Sequence, residues 1–352
     1  MAVTPNALVA ANFGDLVQTT LKELGRGRFT EIVTPLQEHV AMRNLLQENK
    51  IQVESGYSIQ WDVMVLPANE AYNVGLGASD NVNIPDTMTQ ATVDWRNTTV
   101  SYAYEHRELD MNASPSKIVD LILTRRIGAL ISMAELMEAN FWGPPVNVND
   151  NLTPWGVNTW FPKNATQGFN GGVPSGYTTI GGLSPTTYPN WNSWTDTYTT
   201  VSADDLIRKM RRAAEFTKFT PPVDGIPSFD TGEKYGIYTN YGVIQPIEEQ
   251  LIAQNDNIGH DVAAMDGRSL FRRVPFTWVP YLERDTTNPV YGIDWGVFKT
   301  AVLKGWWLKE TFIPIYPGQH TMSAMFSDCT YQWLCRNRRN NWVISNGTTY
   351  PN

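Results

Sequence analysis

Residues 133–172 read MAELMEANFWGPPVNVNDNLTPWGVNTWFPKNATQGFNGG, and the break inside them organises the chain. Up to Trp142 the pattern is helical. It stops at Gly143-Pro144-Pro145, because proline cannot donate to a helix and clashes with the preceding turn. From Phe141 to Thr200 only Asp150, Lys163 and Asp196 are charged, yet five of the thirteen tryptophans lie there: Trp142, Trp155, Trp160, Trp191 and Trp194. Gly, Pro, Asn, Ser and Thr interrupt every run long enough for a helix or strand, so the backbone is irregular. Irregular backbone with that much ring surface is expected not to bury itself. Aromatic side chains anchor interfaces because they remove much apolar area at little entropic cost. A loop this long is functional or disordered, and its ring content argues against disorder. The expectation is a surface ordered against other parts of an assembly.

Upstream lies the strongest helix of the chain. Ser114 is a natural N-cap and Pro115 suits the first helical position. Ile118, Leu121, Ile122, Ile127, Leu130, Ile131, Ala134, Met137 and Phe141 then make a broad apolar stripe down to Trp142. At ~1.5 Å per residue the helix spans about 40 Å. Arg125 and Arg126 fall mid-helix, off or at the edge of that stripe.

Before it, residues 50–66 alternate, with Ile59, Trp61, Val63 and Val65 on one face and Gln60 and Asp62 on the other, which predicts a strand. A second extended run, Ala91–His106, is rich in Thr, Val, Tyr and Trp, and polar residues 67–90 separate the two. Together they predict a long hairpin with an extended tip. Two-stranded hairpins are marginal in water, so this one should lie on a neighbour. From Ile51 to Asp94 its charges are Glu54, Asp62, Glu70, Asp80, Asp86 and Asp94, without a Lys or Arg. An all-acidic arm expects a basic landing surface.

The remainder reads as short helices near residues 12–24 and 35–47, and a helix opened by Ser202-Ala-Asp-Asp205 as a capping box. A strand follows at 235–240, then a helix at 241–254 despite Pro246. Strands dominate from Ser269, with two closing strands around an Arg/Asn turn. No βαβ rhythm and no internal repeat appears, so the class is α+β.

Composition limits the function. Of 352 residues, 42% are hydrophobic, 12% aromatic and only 18% charged, below the usual ~25%. Low charge with many rings suggests that a large area meets other protein. A net charge of −8 argues against a dedicated nucleic-acid binder and suits an inner wall that does not cling to packaged polyanion. Cys329 and Cys335, six apart in one strand, share a face but lie too far apart to bridge easily, and read as small buried thiols. The N-terminus lacks the basic and apolar regions of a signal peptide, and no window is apolar enough for a membrane span.

Catalysis finds no constellation. His39, His106, His260 and His320 are scattered without metal-ligand spacing, and no GxSxG or HExxH occurs. The glycine-rich Gly171–Gly176 has Tyr177 where a phosphate loop needs Lys. A carbohydrate-active enzyme would need two converging carboxylates, and the aromatic segment offers only Asp150 and Asp196. No catalytic, cofactor or metal residue is assigned. Arg208, Lys209, Arg211 and Arg212 crowd one helix, as Arg336, Arg338 and Arg339 crowd the tail turn. These are a solvated face, or contacts with acidic neighbours or nucleic acid, and protein contacts are favoured.

The order of parts (short helical arm, long hairpin, long helix, central α/β region, closing strands) resembles the tailed-phage major capsid proteins of the Hong Kong 97-type fold. MAELMEANFWGPP running into PWGVNTWF and GFNGG, and the tail phrase CRNRRNNWVIS, resemble a subgroup of that family. The resemblance implies an N-arm at 1–49, an extended-loop (E-loop) hairpin at 50–106 and a peripheral domain at 107–200 containing the spine helix and the aromatic insertion. An axial α/β domain would occupy 201–312, and 313–352 would return to the peripheral domain. It implies a non-enzymatic virion protein, assembled in the host cytoplasm, whose copies form pentamers and hexamers of an icosahedral shell around double-stranded DNA. Packaged DNA would make weak, non-specific contact. Scaffolding, portal and decoration proteins would be further partners, and membranes would not. The alternative is another virion component, such as a tail or fibre protein.

Some members of the family weld subunits through an E-loop lysine. Residues 51–116 contain none, so a non-covalent shell is expected. The expected inter-subunit contacts are Glu54, Asp62 and Asp86 of the hairpin, Arg125 and Arg126 as their first landing site and Arg338 and Arg339 as the next, with the rings of Trp142, Trp155 and Trp160.

Overall fold

A computed structural model describes residues 51–65, 73, 86–111, 115–218, 235–254 and 269–347. The expected N-arm helices, most of the hairpin's tip, His39 and His260 lie outside the described residues. Two compact units divide the chain: residues 97–137 with 305–330, and residues 40–96, 138–304 and 331–352.

The first unit is built on strands and one long helix. Strand β4 (Arg96–Glu105) leads through helix α1 (His106–Met111) into helix α2 (Pro115–Trp142), which ends where the glycine-proline run predicts. Strand β11 (Lys309–Ile313) pairs antiparallel with β12 (Met322–Cys335), from Lys309 opposite Asp328 to Ile313 opposite Ala324, and β4 also pairs with β12. The His106 ring meets the Ser323 hydroxyl at 2.8 Å, which ties α1 to that sheet.

In the second unit the predicted 50–66 strand is two. Residues 51–53 (β1) pair parallel with β10 (Phe298–Leu303), while β2 (Ser58–Met64) turns away to pair antiparallel with β3 (Met88–Asp94). Gly56 makes the break at φ 137°, a backbone conformation that other residues rarely adopt. The run from Ala91 divides likewise at Trp95, where β3 ends and β4 begins. Alternation alone hid both breaks, because the period of two continues through each corner.

A six-stranded sheet fills the rest of this unit, in the order β5 (Trp194–Tyr198), β13 (Trp342–Asn346), β9 (Val290–Asp294), β6 (Tyr235–Thr239), β8 (Val274–Trp278) and β7 (Leu270–Phe271). The two closing strands are thus not a hairpin: β12 and β13 belong to different sheets. One βαβ unit occurs after all, since β6 pairs parallel with β8 across helix α4 (Tyr241–Gln254). Gly292 sits opposite Trp342 and is needed there, because a Cβ would fall 2.0 Å from the indole. Helix α3 (Arg208–Phe216) follows a π-turn at Ala203–Ile207. Ser202 caps that turn by accepting from the Asp205 backbone N–H, at 3.1 Å. Only half of the predicted capping box forms, since the Asp205 carboxylate accepts from the backbone N–H groups of Thr199 and Thr200 instead. Met210, Ala213, Val243, Ile244 and Ile247 from the two helices pack with Ile237, Phe276, Val290 and Ile344 of the sheet as one core. Cys329 and Cys335 are buried and form no disulfide, as read from their spacing. No helix among the described residues is long and apolar enough to cross a membrane.

Candidate functional site

The large rings of the aromatic segment are core, contrary to the expectation that its ring surface stays open for neighbours, while stretches such as 146–152 remain exposed. Phe141 meets Trp142 edge-on at 4.9 Å between ring centroids, stacks with Trp295 at 6.0 Å, and meets Trp333 edge-on at 5.1 Å. Phe298 joins both Phe141 and Phe161. Three of the segment's buried indoles find a carbonyl or carboxylate: Trp142 donates to Glu138 at 2.7 Å, Trp160 to the Trp333 carbonyl at 3.1 Å, and Trp191 to the Ile180 carbonyl at 3.0 Å. Buried Trp194, by contrast, packs through its ring alone, edge-on to Phe169 at 5.1 Å.

An irregular backbone can be buried here because side chains replace the missing ladder. Arg338, fully buried, donates to the carbonyls of Trp160 at 2.9 Å, Trp191 at 2.8 Å and Gly172 at 2.8 Å. Burial lowers its pKa to about 10, so it stays charged at neutral pH. Asn192 accepts from the Gly172 N–H at 2.8 Å, and Gln332 from that of Trp155 at 2.8 Å. Lys163 is buried against Asp285 and donates to Thr287 at 2.8 Å; that contact holds the Asp285 carboxyl below its ordinary range despite burial. Asp150 accepts from the N–H groups of Val146, Leu152 and Thr153, and these outweigh burial to hold its pKa at about 2.

The hairpin grows out of this core. Its root rests on the aromatic segment: Thr92 N–H donates to the Gly181 carbonyl at 2.9 Å, and Trp61 lies 6.4 Å from Trp160, ring to ring. Ile59, Ala91 and Val93 are buried there. The Trp95 indole donates to the Gly56 carbonyl at 3.0 Å, clamping the two strands where they leave the body, and Gln332 holds the Asp94 carbonyl at 3.1 Å. Arg96 reaches the Thr153 carbonyl at 3.3 Å. The other face stays open, with Tyr57 94% exposed, Met64 61% and Met88 53%, beside exposed Asp62 and Asp86.

No family model and no curated protein matches this chain. Solved structures do. The chain in the cyanophage A-1(L) capsid asymmetric unit is 14% identical with a TM-score of 0.63, over 93% of this chain and 98% of that one. The chain in the capsid of the empty GTA particle is 12% identical with a TM-score of 0.57, over 98% and 100%. In the asymmetric unit of the bacteriophage PhiM1 mature capsid the values are 10% and 0.55, over 94% and 93%. This is the Hong Kong 97-type capsid fold. At such identities the likeness carries the architecture and leaves the interactions to this chain's own residues.

Within that capsid fold the expected contact residues divide sharply. Trp142 and Trp160 are buried in their own subunit, and Trp155 is half-buried, 5.9 Å from Trp160. None of the three is an open anchor. Arg338 is equally unavailable, because its whole fork is used internally. Arg339 is half-buried, its guanidinium 5.2 Å from the Phe169 ring. Arg125 is committed to Glu108 by two bonds, at 2.7 and 3.1 Å, and also donates to the Ala103 carbonyl. Burial would raise the Glu108 carboxyl, and the Arg125 guanidinium overrides it, holding the group below its ordinary range. Arg126 pairs with Glu310 at 2.6 Å. Glu54 meets Lys304 at 2.7 Å, an exposed pair of small worth. Asp62 and Asp86 have no ion pair among the described residues. The sequence reading missed Gln332, which holds both the hairpin root and the aromatic segment; a lone amide in a strand gives no signal before its neighbours are known.

Proposed function

We propose that this chain is the major capsid protein of a tailed DNA phage. Its copies form pentamers and hexamers of an icosahedral shell enclosing double-stranded DNA, held without covalent links. The observation that carries the reading is a likeness in fold to capsid chains that spans nearly the whole of both partners. In this reading the N-arm is 1–49, the E-loop 50–106, the peripheral domain 107–200 together with the returning strands of 313–352, and the axial domain 201–312. The protein acts by assembly, without catalysis, in the host cytoplasm and then in the virion, with separate scaffolding, portal and decoration proteins as partners.

The hairpin is the arm that meets the next subunit. Its root is fixed and dry, while its outer face carries Asp62, Asp86, Met64, Met88 and Tyr57 in the open. Exposed ion pairs are worth only ~0–1 kcal/mol each, but repetition through a shell multiplies them. Negative-stain microscopy of the purified protein tests the proposal: closed shells support it, and monodisperse single subunits at high concentration contradict it. Shells boiled in denaturant should release monomer on a gel, and a covalent ladder would refute the non-covalent reading.

A further inference from the structure

A basic surface lies where helix α3, packed on β5 and β13, meets the β7–β8 turn. Arg208, Arg211 and Arg212 are exposed on successive turns of α3, and exposed Lys218 follows just beyond its end. Arg272 meets Glu215 of the same helix at 2.6 Å, which brings the β7–β8 turn alongside. That turn consists of Arg272 and Arg273, with φ of 50° and 71°. Tight hairpin turns with positive φ at both central residues ordinarily use Asn-Gly, because a side chain is strained there. Here two arginines occupy the strained positions, and both are exposed. Among the described residues, Glu215 is taken by Arg272 and Asp205 by Lys209, and Asp204, one turn before Arg208, is the exposed carboxylate that remains.

We propose that this surface binds the backbone phosphates of nucleic acid, without reading sequence. The inference rests on the proposed function, which encloses double-stranded DNA, and adds the residues that touch it. Guanidinium groups suit phosphate oxygens through paired N–H donors. A polyanion also releases counterions on binding, so charge alone suffices. A stable protein contact needs an apolar centre and about 800 Å² per partner. Among the described residues the exposed ring here is Phe216, flanked by Arg212 at 5.8 Å and stacked on Trp194 at 5.0 Å. The acidic hairpin of a second copy is the competing anion. Its Tyr57, Met64 and Met88 need apolar cover that this arginine face lacks.

The test is fluorescence anisotropy of the purified full-length protein with a labelled duplex of about 20 base pairs, between about 50 and 200 mM salt. Neutralising three or four phosphates predicts a log–log salt slope of about −3 and a loss of about 40-fold or more across that range. R211E/R212E should weaken binding at least ~10-fold at the lowest salt and flatten the slope by about 2, while circular dichroism stays that of the wild type. R107E, an exposed arginine of the other unit, should change nothing. Absent binding at low salt, or binding indifferent to R211E/R212E, overturns the assignment. So does R211E/R212E protein that loses shells but holds the duplex as the wild type does, because the surface is then a protein contact. Wild-type protein that binds through these arginines yet never forms shells would strike the proposed function and leave this surface standing.

Discussion

The aromatic segment and the acidic hairpin invite the same reading from sequence, as surfaces waiting for a neighbour, and the structure treats them oppositely. Residues 141–200 have little regular structure and much ring area, yet Trp160 and Phe161 are wholly buried in their own subunit. The hairpin has regular pairing throughout its described length, yet one of its faces stays open. Regular backbone therefore does not predict where the apolar area goes. What decides burial is whether the backbone's polar groups are satisfied. Arg338, Asn192, Gln332 and Asp150 do that for the segment, and water can do it for the hairpin's outer face.

The sharpest way to break this contrast is Trp160→Ala. If the segment is core, the substitution costs about 3–5 kcal/mol, read as a lowered midpoint in denaturant. An interface role would leave the midpoint of the dispersed subunit unchanged. Arg338→Met comes next: it leaves three carbonyls without their donor and should cost about 3 kcal/mol, despite conserving apolar bulk. Arg125→Glu sets a carboxylate against buried Glu108 and should destabilise by a similar amount, about 3 kcal/mol, so lost assembly in that variant would reflect misfolding. Reversing Asp62 and Asp86 to Lys should do the opposite. Stability should move by less than about 0.5 kcal/mol, and shell formation should fail. The smallest effect concerns Asp150. Its folded pKa, about 2, lies below the unfolded value of ~3.9, so its contribution is present above pH ~4 and fades as pH falls toward 2. Asp150→Asn should flatten acid unfolding within that window only.

Much of the fold was legible because its signals are local. Gly143-Pro144-Pro145 ends α2, Pro246 does not prevent α4, and the cysteine spacing places two thiols in one strand. The acidic run from Glu54 to Asp94 is also plain, and Asp62 and Asp86 are indeed exposed. What could not be read depends on partners remote in sequence. Arg338 looks like a surface arginine until Trp160, Trp191 and Gly172 close around it, at separations of 178, 147 and 166 residues. Arg125 looks free until Glu108 arrives from the preceding helix. Tying a capsid role to an outward-facing tryptophan segment was the error of principle. A subunit can fill its own core with rings and still present a separate arm to its copies.

Hydrogen exchange followed by mass spectrometry, on dispersed subunits and on shells, tests this division most directly. The account predicts that peptides covering 157–162 and 190–198 are already protected in the dispersed subunit and change little on assembly, while those covering 58–65 and 86–94 gain protection only in the shell. Fast exchange in the aromatic peptides before assembly, or a hairpin indifferent to it, would contradict the account.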